Sequence, residues 1–226
     1  MKLDRLVAKH RSLGRTGAQR AIATGRVRVA GEIVVDGHHP VDRYDHVSLD
    51  DETLQEGMPA LYVMLHKPAG ILSATSDPEH PTVIDLIDHP LRATLHLAGR
   101  LDRASSGLVL LTNDGRWSKK LTAPGEKVAK VYLVETAEPI APEAVEAFAR
   151  GFYFHTEDLT TLPAQLEILA PRQARVTLHE GRYHQIKRMF HRVNNRVTSL
   201  HRESVGPYTL PGDLAPGAWR LLTLDD

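Results

Sequence analysis

Leu3, Leu6 and Val7 recur at the spacing of one helix face, and Ala18, Ala21 and Ile22 mark the stripe of a second short helix. Thr16 is placed to cap that second helix, with Gln19 three residues on as in a capping box, and Gly25 to end it. Val27 and Val29, then Ile33 and Val35, alternate about Ala30-Gly31 and predict a hairpin. The acidic stretch 42–56, closed by Gly57-Met58-Pro59, reads as one more strand and a linker. A new strand over 61–65 stops at Lys67-Pro68-Ala69-Gly70, and Thr82 is placed to cap a short helix running to Ile87. Strands over 95–97 and 108–112 flank a polar, glycine-bounded loop, and Asn113-Asp114-Gly115 reads as a turn. Beyond it come a strand at 130–136, a helix opened by Pro142 and closed before Gly151, and paired strands at 166–169 and 175–178. Glu180-Gly181 turns the chain into a basic helix over 183–193, and 197–200 reads as a final short strand. Strands and helices do not alternate regularly. The expected class is therefore α+β with a mixed, largely antiparallel sheet, in a small domain of residues 1–58 and a larger one of 59–226.

Composition narrows the chemistry. The 226 residues are 42% hydrophobic and 25% charged, as in ordinary globular proteins. With no cysteine there is no disulfide, zinc–thiolate site, iron–sulfur cluster or cysteine nucleophile. The first residues carry no apolar signal core, and the densest apolar runs, 60–65 and 108–111, are far shorter than the about 20 residues a bilayer helix needs. A cytoplasmic protein with no membrane partner is expected. Lysine plus arginine equals aspartate plus glutamate at 28 each, but the charges are segregated. Residues 1–30 hold Lys2, Arg5, Lys9, Arg11, Arg15, Arg20, Arg26 and Arg28 against Asp4 alone, and the next 28 residues are as strongly acidic. Residues 172–202 hold eight basic side chains against Glu180 alone. Two separate basic blocks suit a polyanion with a phosphate backbone.

Three segments carry candidate chemistry. In Gly99-Arg100-Leu101-Asp102-Arg103-Ala104-Ser105-Ser106-Gly107 a carboxylate sits between two arginines in a loop between strands. Nearby cations favour the ionised form, which suits a nucleophile or base; the same pattern also suits a structural aspartate salt-bridged to Arg100 or Arg103. In the basic helix Ile186, Met189 and Phe190 point inward, with Lys187 and Arg188 beside them. Such a helix can fix a loop carboxylate and bind phosphate, or be a surface helix whose basic residues snorkel. Tyr132 lies on the same strand face as Lys130 and Val134, as a stacking platform for a base or as core. The 13 histidines, among them His38, His39, His184, His191 and His201, form no His-Glu-x-x-His pattern, and no Gly-x-Gly-x-x-Gly or phosphate-loop lysine occurs. Neither metal nor nucleotide cofactor is expected. A glycosidase would need a second carboxylate, and spacing singles out none of Asp85, Asp114 or Glu180.

Taken together, these segments resemble the pseudouridine synthases. Gly99–Asp102 with Ser105-Ser106-Gly107 and the apolar run to Asn113-Asp114-Gly115 is similar to that family's catalytic motif. Lys67-Pro68-Ala69-Gly70, Lys130-Val131-Tyr132 and the stretch from Glu180 to Phe190 resemble its other motifs, in the family's order. Residues 1–60 resemble an S4 RNA-binding domain. That combination, with Tyr183-His184-Gln185 and His201-Arg202-Glu203, resembles the RsuA-type branch that acts on small-subunit (16S) ribosomal RNA.

The resemblance implies roles residue by residue. Asp102 matches the essential aspartate, Tyr132 the tyrosine that stacks on the target base, and Lys187 the basic partner of the aspartate. Arg100 matches the arginine that helps hold the flipped-out site open. Arg103, Arg182, His184, Gln185 and Arg188, with Arg5, Arg15, Arg20 and Arg26 of the first domain, are the expected RNA contacts. The family uses no metal and no organic cofactor. The implied partner is ribosomal RNA or a pre-ribosomal small subunit, and a monomer is expected. A large-subunit (23S) synthase of the same chemistry, or a non-catalytic RNA-binding or ribosome-assembly protein, are the alternatives. Two positions depart from the family pattern: Ala30-Gly31 replaces the usual asparagine-glycine turn, and Asn194-Asn195 stands where glycine is common.

Overall fold

Leu108-Val109-Leu110-Leu111 is apolar at every position, so as a strand it must be covered on both faces. The computed structural model, which describes residues 1–10 and 13–223, places that run at the centre of the larger of two compact units, Met1–Ala60 and Leu61–Asp226. Arg11 of the first basic block lies outside the described residues.

In the first unit, α1 (Leu3–Ala8) and α2 (Gly14–Ala23) precede β1 (Val27–Val29), β2 (Glu32–Ile33), β3 (Val47–Leu49) and β4 (Glu52–Gln55). The strands form an antiparallel sheet in the order β2-β1-β3-β4. Leu3, Leu6, Val7, Ala18, Ala21 and Ile22 bury against Val27, Val29, Val47 and Leu49. Three expectations need correction. Thr16 lies inside the first turn of α2, and the cap position is Leu13, with no side-chain hydrogen bond. Ile33 and Val35, whose alternation suggested an inward face, are exposed, Ile33 on the two-residue edge strand β2 and Val35 beyond it. The acidic stretch is the β3–β4 hairpin rather than one strand and a linker. The predicted turn forms at Ala30-Gly31, both at positive φ (50° and 86°), as a two-residue hairpin of this hand requires.

In the second unit, β5 (Tyr62–Lys67), β6 (His96–Leu97) and β7 (Ser106–Thr112) come first, then α3 (Gly115–Thr122), β8 (Lys130–Thr136) and α4 (Glu143–Arg150). A small hairpin of β9 (Tyr153–Phe154) and β10 (Leu159–Thr160) leads to β11 (Gln165–Ala170), β12 (Gln173–Leu178) and α5 (Gln185–Arg192). The remaining strands are β13 (Val197–Val205), β14 (Tyr208–Thr209) and β15 (Trp219–Leu221). The main sheet runs β11-β12-β8-β13-β7-β5-β15, with β14 on β13 and β6 on β7. Among these strands β13 and β7 pair in parallel and the rest antiparallel, and an isolated parallel bridge joins Leu72 and Thr82. One face buries Val109, Leu111, Val134, Phe148, Met189 and Phe190, and the other buries Leu108, Leu110, Trp117 and Leu121.

The turn at Asn113-Asp114-Gly115 is in fact the start of a helix. Asp114 caps α3 by accepting from the Arg116 amide, and Trp117 and Leu121, one helical turn apart, bury. Thr82 opens a turn rather than a helix, its amide and hydroxyl both donating to Asp85 (2.8 and 2.9 Å). The expected last strand is nine residues long and is followed by two more. Its alternation is hidden by irregular register near residues 197–199 and 202–204 and by its polar segment His201–Ser204.

Candidate active site

The loop that carries Asp102 hangs between β6 and β7, and it is held by its own carbonyls. Lys67, at the end of β5, is fully buried, and its Nζ donates to the carbonyls of Pro68 (3.0 Å), Arg103 (3.2 Å) and Ser105 (2.6 Å). Arg202, buried in β13, donates to the carbonyls of Leu108 (2.8 Å) and Arg100 (3.2 Å). The Gly70 amide donates to the Arg103 carbonyl (2.7 Å), and the Ser73 hydroxyl accepts from the Leu101 amide (3.1 Å). Burial pushes the Lys67 ammonium down to about 8; the Asp102 carboxylate pulls it up and Arg202 pushes it further down. Gly107 lets β7 approach β13. Its φ is +112°, and a β-carbon there would overlap the Arg202 backbone.

The opposite wall is the start of α5. Glu180 receives the Leu162 amide (2.9 Å), the Gln185 side-chain amide (2.7 Å) and Nε of Arg182 (2.9 Å). Gln185 Oε1 in turn accepts from the Arg182 amide (3.0 Å). This latch, with Ile186, Met189 and Phe190 buried beneath it, turns Lys187 toward the loop. Lys187 Nζ lies 2.8 Å from Asp102 Oδ2, and His184 Nε2 lies 3.4 Å from the same oxygen. A cavity of about 100 Å³ lies over the pair, with Tyr132, Arg100, Ser105 and Leu200 also on its walls. Tyr132 is buried on β8, opposite Arg202 in the sheet register.

The structure thus gathers Asp102, Lys187, Tyr132, Arg100, Arg182, His184 and Gln185 around one pocket. It corrects several details. Asp102 pairs with Lys187 and His184 and with neither flanking arginine; Arg103 Nε instead donates to the Gly70 carbonyl (3.1 Å). Gln185 is buried, with both ends of its amide engaged in the latch rather than held out to RNA. Arg188 grips Glu157 with two hydrogen bonds (2.6 and 2.8 Å) over the Phe154 ring, and this guanidinium holds the Glu157 carboxyl below its usual range. In the first unit Arg26 is likewise paired with Asp50, while Arg5, Arg15 and Arg20 are exposed. Lys67 and Arg202 shape the loop, yet the sequence pattern assigns neither a role, although both lie in motifs it singles out. Their burial follows only from the sheet order.

Residues 61–192 match the family model described as RNA pseudouridylate synthase, and the chain belongs to this family. It is an RNA pseudouridine synthase. Over all 226 residues it is 55% identical to the ribosomal small subunit pseudouridine synthase A of Pseudomonas aeruginosa, covering 98% of that protein. It is 44% identical to the protein of the same name from Escherichia coli K12, again covering 98% of it. A crystal structure of a pseudouridylate synthase, 39% identical, superposes with a TM-score of 0.71 over 99% of this chain and 96% of the other.

Proposed function

We propose that this chain isomerises a specific uridine of small-subunit (16S) ribosomal RNA to pseudouridine, with Asp102 as the reacting group. The observation that carries the reading is the Asp102–Lys187 pair, 2.8 Å apart beneath a cavity that Tyr132 also lines. Full-length similarity to two proteins named for the small ribosomal subunit supports the choice of RNA.

The chemistry fits these parts. The C1′–N1 bond of uridine breaks, the uracil turns, and C5 bonds to C1′. The proton lost from C5 is balanced by the one gained at N1, so no cosubstrate is consumed. The target base must leave its stack to be reached, and a cavity of about 100 Å³ suits one ring. An ionised Asp102 serves both possible first steps, attack on C1′ or removal of the C2′ proton, and the Lys187 ammonium favours that ionised form. Tyr132 gives the extruded base an aromatic wall. Residues 1–60, read as an S4-like RNA-binding domain, add affinity through exposed Arg5, Arg15 and Arg20.

The test is pseudouridine mapping of 16S and 23S ribosomal RNA, and of pre-ribosomal small subunits, after incubation with the protein and with Asp102→Asn. One new pseudouridine in 16S RNA, absent with the variant, is expected. Lys187→Ala should lose most of the activity and Lys187→Arg retain part of it. A site in 23S RNA would overturn the substrate. Turnover by Asp102→Asn would overturn the role of the aspartate, and no modification of any substrate would favour a non-catalytic RNA-binding protein.

A further inference from the structure

Tyr183 stands just before α5, where it has no part in the core or in the latch. The residue is 76% exposed, the most open of the large hydrophobic residues described. Its ring nevertheless has a fixed neighbour: it stacks on His184, with centroids 3.9 Å apart and planes 18° apart. His184 is the side chain whose Nε2 reaches to 3.4 Å from Asp102. Two parallel rings therefore lead outward from the reacting carboxylate, and the outer ring keeps a face in solvent.

The backbone holds this pair in place from both sides. His184 adopts left-handed angles (φ 48°, ψ 32°), which a β-carbon disfavours. Arg182 before it and Gln185 after it are tied to each other and to Glu180. The Tyr183 carbonyl also accepts from Arg188 (3.4 Å). The pair thus offers an exposed aromatic face beside the reacting carboxylate, which suits stacking.

We propose that Tyr183 and His184 form a second stacking subsite, which takes an unpaired base of the substrate RNA next to the target uridine. The inference rests on the reading of Asp102 as the reacting group. Extruding one nucleotide unstacks its neighbours, and the stacked pair stands at the edge of the cavity over Asp102, where an unstacked neighbouring base can reach it. An aromatic face accepts any base, so the subsite adds affinity and register rather than sequence choice.

The test measures kcat/KM for wild type, Tyr183→Ala and Tyr183→Phe on whichever RNA or pre-ribosomal particle the enzyme turns over. Each is assayed with intact substrate and with an abasic nucleotide on the 5′ or the 3′ side of the target. Tyr183→Ala should lose about 5- to 150-fold, the worth of one stacked base, while Tyr183→Phe stays near wild type. At one of the two neighbouring positions the abasic substitution should cost wild type a similar factor and cost Tyr183→Ala nothing more. Wild-type activity in Tyr183→Ala, or losses that multiply at both positions, would overturn the subsite. Asp102→Asn is run alongside: turnover there removes the catalytic reading itself, whereas a dead Asp102→Asn beside a fully active Tyr183→Ala removes the subsite alone.

Discussion

Lys67 is a cation in the protein interior, and its cost and use are both visible. Two carbonyls of the Asp102 loop, those of Arg103 and Ser105, converge on its Nζ with that of Pro68, so the loop is shaped around a charge that burial disfavours. With the folded-state value at about 8 and the ordinary value at 10.5, the unfolded chain binds a proton between them that the folded chain does not. The contribution of this group to stability therefore rises from about pH 8 to 10.5, and is lost as pH falls through the folded value. Urea unfolding of wild type and Lys67→Met at about pH 7.5 and 9.5 checks this. The gap in favour of wild type should be wider at the higher pH; an equal gap would mean that the lysine titrates normally in the folded protein.

Among the elements, the β7–β13 pairing decides whether the site exists. It is the parallel pairing that brings His201 beside Ser106 and Arg202 beside Gly107. A β-carbon at position 107 has no room, and the positive φ disfavours it as well. Gly107→Ala is expected to cost about 3 kcal/mol or more and to abolish activity, because the strands must part where Arg202 reaches the loop. A near-normal urea midpoint would show that the sheet adjusts without cost. The first unit tolerates a similar conflict at its surface. Ala30 takes a left-handed turn position that asparagine or glycine fills more easily, and β1 and β2 still pair around it.

At the scale of the whole molecule, the net charge of zero conceals where RNA would bind. Among the described residues, Arg5, Arg15 and Arg20 are exposed, whereas Arg26, Arg182 and Arg188 face Asp50, Glu180 and Glu157. Replacing Arg5, Arg15 and Arg20 together with glutamine should weaken RNA binding and flatten its salt dependence. The log–log slope should fall by up to about three units, since each arginine that neutralises a phosphate contributes close to one. The same replacement of Arg26, Arg182 and Arg188 should change the slope less. Equal slopes for wild type and the first variant would place the RNA elsewhere.

The sequence by itself determined the class of fold, most strands, the inward face of α5 and the motifs around Asp102, because each is written in local periodicity or in contiguous residues. It stopped short at α3, whose capping aspartate looks like a turn, and at β13, whose polar residues and irregular register conceal a central strand. The resemblance named Lys187 as the partner of Asp102; only the tertiary structure set His184 beside the same oxygen, left Arg100 and Arg103 out of the pair, and made Lys67 and Arg202 buried props of the loop. Those pairings join residues from about 35 to about 100 positions apart, and their geometry is set by strand order, which no single stretch of sequence encodes.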